Sequence, residues 1–152
     1  MISQKSKYAL KAMTVLAQEY GKGPTLVAEI ASREQIPRGF LELILLELKN
    51  RGWLASRKGR RGGYFLVKPP ADISVGELLR AIDGPLAPLP CVSKTAYRRC
   101  EECVDERTCC VRLLMRDVRE ATVLILDHTT IADILRRSER AAARDDTLHF
   151  SI

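Results

Sequence analysis

The hydrophobic pattern of this chain changes its period at Gly52, and that change restricts its possible folds more than any other feature. Before Gly52, apolar residues recur at helical spacing in three successive segments. After it, residues 53–57 and 64–68 are patterned as two short strands joined by the segment KGRRGG. The glycines of that segment permit the positive φ angles of a tight connection. The sequence therefore predicts three helices followed by a β-hairpin.

The three helices have recognisable boundaries. We expect the first over residues 6–20, the second over 26–33, and the third from Ile36-Pro37 to Arg51-Gly52. Proline is tolerated in a first helical turn, and glycine commonly ends a helix. The third helix has a buried stripe at i, i+3, i+4 and i+7, formed by Leu41, Ile44, Leu45 and Leu48.

The C-terminal half is also predicted to be helical. A fourth helix over 74–83 begins at a capping box of Ser74 and Glu77, and a long helix spans about 108–127. Thr130 and Asp133 indicate another capped start. We expect a DNA-binding domain over 1–84, a cysteine-rich loop over 85–107, dimerisation helices over 108–137 and a flexible tail over 138–152. The predicted fold is mainly α with a small hairpin wing.

The charge pattern favours nucleic acid as the partner. The net charge is +6, and residues 49–68 hold seven basic side chains and no acidic one. Helices followed by a basic hairpin match a winged helix-turn-helix, in which the second helix of the pair enters the major groove and the wing reaches the backbone or minor groove. A solvated basic hairpin that binds nothing is the alternative. The candidate DNA contacts are Arg38, Gly39 and Glu42 on the third helix and Arg57, Lys58, Arg60 and Arg61 on the wing.

The cysteines indicate what the protein senses. All five lie in one loop-like segment that begins after Pro85 and contains several basic residues; they are Cys91, Cys100, Cys103, Cys109 and Cys110. No apolar run is long enough for a membrane span, and the N-terminus lacks a signal-peptide pattern. We therefore expect a cytoplasmic protein, in which clustered thiols indicate a soft metal, a cluster or redox sensing. Lys94, Arg98, Arg99 and Arg112 are expected to favour the thiolate forms.

Four segments carry a resemblance to a known family: KSKYAL at 5–10, GGYFL at 62–66, ISVGELLRAIDG at 73–84 and LDHTTIADI at 126–134. In this order they resemble the Rrf2 family of bacterial regulators, which includes the IscR, NsrR, RirA and CymR types. The resemblance implies a homodimeric winged-helix transcription regulator that binds a double-stranded DNA operator. It also implies an iron–sulfur cluster, [2Fe-2S] or [4Fe-4S], on three cysteines after the fourth helix.

The ligand set departs from the family pattern. The resemblance places the first cysteine at Cys91, the last at Cys109 and the middle one at Cys100 or Cys103, with Cys110 an additional thiol. Arg112 stands where the IscR type has a histidine ligand, and Lys7 stands where the NsrR type has a carboxylate. An extra cysteine is the simplest fourth ligand. Four thiolates suit an iron–sulfur cluster or, alternatively, zinc.

Two further functions compete with the cluster-sensing regulator. One is a regulator that uses thiols or zinc without a cluster, or that receives its signal from a protein partner. The other is an enzyme with a cysteine nucleophile, which needs a base beside its thiol. The two histidines, His128 and His149, are poorly placed for that role, so no enzymatic activity is expected.

Overall fold

A computed structural model of the chain describes residues 2–149, with side chains described through residue 144. Six α-helices occur in this part of the chain: α1 Gln4–Gln18, α2 Val27–Glu34, α3 Arg38–Asn50, α4 Val75–Asp83, α5 Cys110–Asp127 and α6 Ile131–His149. The two strands, β1 Leu54–Arg57 and β2 Gly63–Leu66, form one antiparallel hairpin. The predicted fold class, mainly α with a hairpin wing, is confirmed.

The core lies where α1, α3 and α4 meet the hairpin. The predicted stripe of α3 is buried, and Leu41, Leu45 and Leu48 are each fully inaccessible to solvent. Side chains from α1, α2 and α4 complete the cluster, among them Met13, Leu16, Ile30, Leu78 and Leu79. Burying an aliphatic side chain of this size contributes about 1.5–3 kcal/mol, so these contacts hold the helix-turn-helix as one unit.

The end of α5 and the start of α6 are attached to α4. The Val75 N–H donates to Thr129 O at 2.8 Å, and the Ile131 N–H donates to Ile73 O at 2.9 Å. Gly76 permits this approach, because a Cβ there would lie 2.0 Å from Oδ1 of Asp127. The start of α6 therefore joins the core, where Ile131 is fully buried.

Both predicted helix starts in the C-terminal half are supported by hydrogen bonds. Ser74 Oγ accepts from the Glu77 N–H at 3.4 Å. Asp133 Oδ2 accepts from the Thr130 N–H at 2.9 Å, and Thr130 Oγ1 accepts from the Asp133 N–H at 3.1 Å. The second pair is a complete capping box, which satisfies orphan N–H groups at the start of α6.

Helix α6 continues to His149, so residues 138–149 of the predicted tail are helical, and the flexibility of the tail stays a prediction. The physical reason is composition: the segment ERAAARDDTLH at 139–149 contains no glycine or proline, and Ala, Arg, Glu and Leu are strong helix formers. The remaining residues of that prediction, 150–152, lie outside the described residues.

Candidate functional site

The helix-turn-helix presents one end of α3 to solvent. The turn contains Gln35 in the left-handed region, at φ 53°, and Pro37 precedes the first helical residue. The predicted contacts Arg38, Gly39 and Glu42 are all exposed there. Since α3 is the second helix of the pair, this exposed end is the part that enters a major groove in proteins of this architecture.

Arg38 and Glu42 form an ion pair along α3. Arg38 Nε lies 3.0 Å from Glu42 Oε1, and the two side chains are 67% and 51% exposed. An exposed i,i+4 pair of this kind is worth only about 0.3–0.5 kcal/mol. Contact with DNA can therefore break this ion pair at a small cost in free energy. Without DNA, the Glu42 carboxylate partly neutralises the Arg38 charge.

The wing carries the other predicted contacts at its tip. Arg57 pairs with Gly63 at the end of the hairpin ladder, and Arg57, Lys58, Arg60 and Arg61 are all exposed. Gly62 cannot be replaced without distortion, because a Cβ there would lie 2.3 Å from the Arg57 carbonyl oxygen. The close turn thus concentrates four cationic side chains on one projection.

The wing is attached to the helix-turn-helix by contacts that the sequence did not indicate. Thr25, just before α2, forms an antiparallel bridge with Tyr64, with both N–H···O distances at 2.9 Å. Gly63 has φ 137°, and a Cβ on it would lie 2.1 Å from the Thr25 oxygen. Lys49 Nζ, at the end of α3, donates to Ser56 Oγ at 2.8 Å. These bonds fix the wing relative to α3.

Two leucines of α3 also face outward and are not among the contacts predicted from the sequence. Leu43 is 65% exposed and Leu46 is 47% exposed, whereas the stripe of Leu41, Ile44, Leu45 and Leu48 on the same helix is buried. Apolar side chains on a recognition helix can contact the methyl group of thymine. The sequence does contain a signal for their exposure, because both leucines fall outside the buried stripe of α3.

The cysteine segment begins at a buried thiol. Cys91 lies in a 3₁₀ turn, Pro90–Val92, and is 8% exposed. Cys91 and Cys100 line the same pocket, which has a volume of about 420 Å³ and also includes Arg98, Arg99 and Glu102. The chain thus brings together two thiols that are nine residues apart.

The other thiols continue from Cys100 toward α5. Cys109 lies close enough to Cys103 to raise its pKa, and Cys103 likewise contributes to the raised pKa of Cys100. Cys109 is the N-cap residue of α5, and Cys110 is exposed as the first residue of that helix. Cys100, Cys103 and Cys109 are therefore linked electrostatically, and Cys91 shares a pocket with Cys100.

The expected thiolate character is not found at two of these residues. The Cys100 thiol donates to Glu102 Oε2 at 3.0 Å, and this bond raises the pKa of Cys100. Burial, followed by the charge and hydrogen bond of Cys109, raises the pKa of Cys103. A carboxylate that accepts a hydrogen bond from a thiol stabilises its neutral form. At Cys100 this effect is larger than any effect of the positive charge of nearby arginines.

Two arginines near the cysteines donate hydrogen bonds to main-chain carbonyl groups. Arg99 Nη2 donates to the Cys103 oxygen at 3.2 Å. Arg112 Nε donates to the Cys91 oxygen at 3.3 Å, and its Nη1 donates to the Glu106 oxygen at 3.4 Å. Arg112, in the first turn of α5, therefore fastens both ends of the segment to the helix.

The donor set fits a thiolate-ligated group. The free thiols of the segment supply the soft ligands that iron–sulfur clusters and zinc prefer. Across residues 2–144, no three His, Cys, Asp or Glu side chains converge on one point as metal ligands do. Ligation of one ion or cluster therefore requires the segment to bring its thiols closer together.

Helix α5 exposes an apolar face. Val111 is 52% exposed, Leu114 58%, Val118 43% and Ile125 60%. These side chains form one stripe along α5, and the described part of the chain leaves this stripe uncovered. Within residues 2–149, no helix is both long enough and apolar enough to cross a membrane.

The similarity to known proteins agrees with this architecture. Residues 2–137 match the family model Rrf2, described as an iron-dependent transcriptional regulator. An rrf2-like HTH-type transcriptional regulator of Rhodobacter capsulatus is 46% identical over 145 residues, covering 93% of this chain and 97% of that protein.

Two solved structures share the fold over nearly the whole chain. The global cysteine regulator CymR of Bacillus subtilis superposes with a TM-score of 0.76 at 31% identity, covering 90% of this chain and 97% of that one. IscR from T. potens superposes with a TM-score of 0.72 at 29% identity, covering 93% and 90%. The family match, the shared fold and the exposed α3 and wing lead to one conclusion: this chain is a DNA-binding transcription regulator of the Rrf2 family.

Proposed function

We propose that this regulator binds its operator as a homodimer and that a cysteine-ligated iron–sulfur cluster controls its DNA affinity in response to redox state or iron. The observation that supports this most is the position of the cysteine segment, whose free thiols lie in the chain between α4, which packs on the DNA-binding core, and α5, which exposes an apolar face. A group bound there would determine how those two helices meet.

The proposed ligands are Cys91, Cys100, Cys103 and Cys109. Cys109 is favoured over Cys110 as the last ligand, since Cys109 lies close enough to Cys103 to raise its pKa. Arg112 binds two carbonyl groups and cannot act as a ligand, so the chain relies on thiols alone. When bound, the cluster would supply reversible electron transfer; the chain supplies the four sulfurs and shields Cys91 from solvent.

Anaerobic purification followed by an ultraviolet–visible spectrum and metal analysis tests the cofactor. We expect visible charge-transfer bands and iron with acid-labile sulfide. Changing any one of the four proposed ligands to serine should remove or strongly reduce the bands, whereas the matched variant Cys110→Ser should retain them. A colourless protein, or loss of the bands in Cys110→Ser alone, would contradict the assignment.

A second function, a thiol or zinc switch, is supported by the position of Cys109, which lies close enough to Cys103 to raise its pKa. If the segment brought these two thiols into contact, they could be oxidised to a disulfide, with hydrogen peroxide reduced to two molecules of water. One relative of similar fold is a cysteine regulator by its description. Stoichiometric zinc without iron, or peroxide-dependent loss of two free thiols in a metal-free protein, would favour this function. If the signal came from a protein partner instead, we would expect neither bound zinc nor a peroxide-dependent loss of thiols.

The proposed homodimer pairs α5 with α5 of a second copy. Val111, Leu114, Val118 and Ile125 form a stripe along the helix, and a symmetric partner is the commonest way to cover such a surface. Pairing at α5 would set the separation of the two recognition helices, which must match half-sites about 34–36 Å apart.

The link between cofactor and DNA can be measured on one operator at fixed salt. Cofactor-loaded protein should differ in affinity from both apo-protein and Cys91→Ala by a coupling of about 1–3 kcal/mol. Apo-protein and Cys91→Ala should agree with each other, because both leave the segment without its ligated group. Three equal affinities would show that the cysteines do not control DNA binding.

A further inference from the structure

A second, smaller pocket lies beside the cysteine segment, where its start meets α4 and α5. Its volume is about 170 Å³, enough for several water molecules. One wall is apolar and includes Pro85, Leu86 and Val123. The other wall holds three cationic side chains and two hydroxyl groups and no acidic side chain; these residues are Arg80, Lys94, Arg119, Ser93 and Thr95.

Arg119 is the unusual member of this wall. Its side chain is only 8% exposed, and Nε is buried without a hydrogen-bond partner among the described residues. Its one ion pair, from Nη2 to Glu120 Oε1 at 3.2 Å, involves a carboxylate that is 58% exposed. A buried guanidinium with an unsatisfied N–H is costly, and such groups are nearly always paired in folded proteins.

The groups around Arg119 neutralise its positive charge only in part. Arg80 is already engaged, because its Nη2 lies 2.6 Å from both carboxylate oxygens of Asp127. Lys94 is exposed at the rim, on the same side as Arg119. The two carboxylates, Glu120 and Asp127, line an adjacent pocket with Lys94 and Arg119 rather than this one. The pocket therefore has an excess of hydrogen-bond donors and positive charge.

We propose that this pocket binds a small oxyanion, either inorganic phosphate or sulfate or the carboxylate of a small metabolite. Arg119 Nε would donate to it from the buried side and Lys94 from the rim. Ser93 is 7% exposed, and its Oγ accepts from the Ala96 N–H at 3.0 Å, which leaves the hydroxyl hydrogen free to donate. The bound anion would join residues 93–95 to α5, two residues beyond Cys91.

Thermal unfolding at constant ionic strength tests the proposal, with chloride replaced stepwise by phosphate, sulfate or acetate. At an anion concentration ten times Kd, we expect Tm to rise by about 3–6 °C in the parent protein. A rise with phosphate and sulfate identifies a tetrahedral oxyanion, and a rise with acetate alone identifies a carboxylate; either supports the site. No saturable rise with any of the three would overturn it.

Variants separate this pocket from the DNA surface, which also attracts phosphate. Arg119→Met should abolish the rise, and Lys94→Ala, a change at an exposed position that does not endanger folding, should weaken anion binding at least threefold. Arg116→Ala, one turn earlier on α5 and exposed, is the matched control and should behave as the parent. The wing variant Arg60→Ala/Arg61→Ala should also keep the rise.

A direct readout is the ¹H–¹⁵N signal of the Arg119 Nε–H group, which should move saturably with phosphate in the parent. A rise in Tm that is lost in the wing variant but kept in Lys94→Ala would overturn the assignment, since phosphate would then be binding at the DNA surface. These measurements do not depend on the iron–sulfur proposal, and they can be made on protein of known cofactor content.

Discussion

Removing the two arginines at the wing tip should change how DNA binding depends on salt. Arg60 and Arg61 are exposed and lie outside the β1–β2 ladder, so Arg60→Ala/Arg61→Ala should alter stability by no more than about 0.5 kcal/mol. Each phosphate contact contributes about 0.9 to the slope of log K against log salt. If both arginines contact phosphates, the slope should fall by about 1.8.

That slope difference gives a large, measurable effect. Between 50 and 200 mM salt, the parent should lose about twelvefold more affinity than the variant. Fluorescence anisotropy with a labelled duplex measures this at a series of salt concentrations, and a non-specific duplex is sufficient because the phosphate contribution is independent of sequence.

The control must remove the same charge elsewhere. Arg137 and Arg140 are exposed on α6, and Arg137→Ala/Arg140→Ala lowers the net charge equally. We expect its slope to remain close to that of the parent. An unchanged slope in the wing variant, or an equal fall in the α6 variant, would refute the role of the wing and leave only a general charge effect.

Three further changes have defined outcomes. Glu42→Ala should bind non-cognate DNA as well as or better than the parent, because it frees Arg38 from its ion pair; equal losses on cognate and non-cognate duplexes in the same anisotropy titration would instead indicate a structural role. Val118→Glu should shift a dimer toward monomer in light scattering, and a monomeric parent would rule the dimer out. Hydrogen bonds from the Thr130 N–H and hydroxyl lower the pKa of Asp133 to about 2, below its ordinary 3.8. The resulting stability is present above pH 4 and is lost as pH falls toward 2, so Asp133→Asn should flatten that part of the urea-unfolding profile, and an equally steep profile would contradict the cap.

The elements that could be predicted from sequence depend on local signals. The stripe of α3 follows from apolar spacing, and the start of α6 follows from Thr130 and Asp133, because both signals act over a few residues. The C-terminal end of α6 has no comparable local signal, because residues 138–149 are dense in charge and yet of types that favour helix.

The features that could not be predicted depend on contacts between distant residues. Thr25 and Tyr64 pair across 39 positions, and neither has a sequence pattern that indicates a strand partner. The hydrogen bond by which Glu102 raises the pKa of Cys100 depends on the conformation of one side chain in a loop. Arg119 lies among exposed residues of α5 in sequence, and it is buried where residues from α4 and from the loop that follows α4 surround it.

The attachment of α5 to the rest of the chain gives it the mechanics of a lever. Its C-terminal end is held firmly, through Asp127 against Gly76 and Arg80, whereas its N-terminal end is held by the cysteine segment and Arg112. The helix has 18 residues and is thus about 27 Å long. A displacement of 1 Å at Cys110 with Asp127 as fulcrum turns its axis by about 2°. In the proposed dimer, the same rotation in both copies would change the angle between the two DNA-binding halves by about 4°. A small chemical change at sulfur would thereby alter the separation of the two recognition helices.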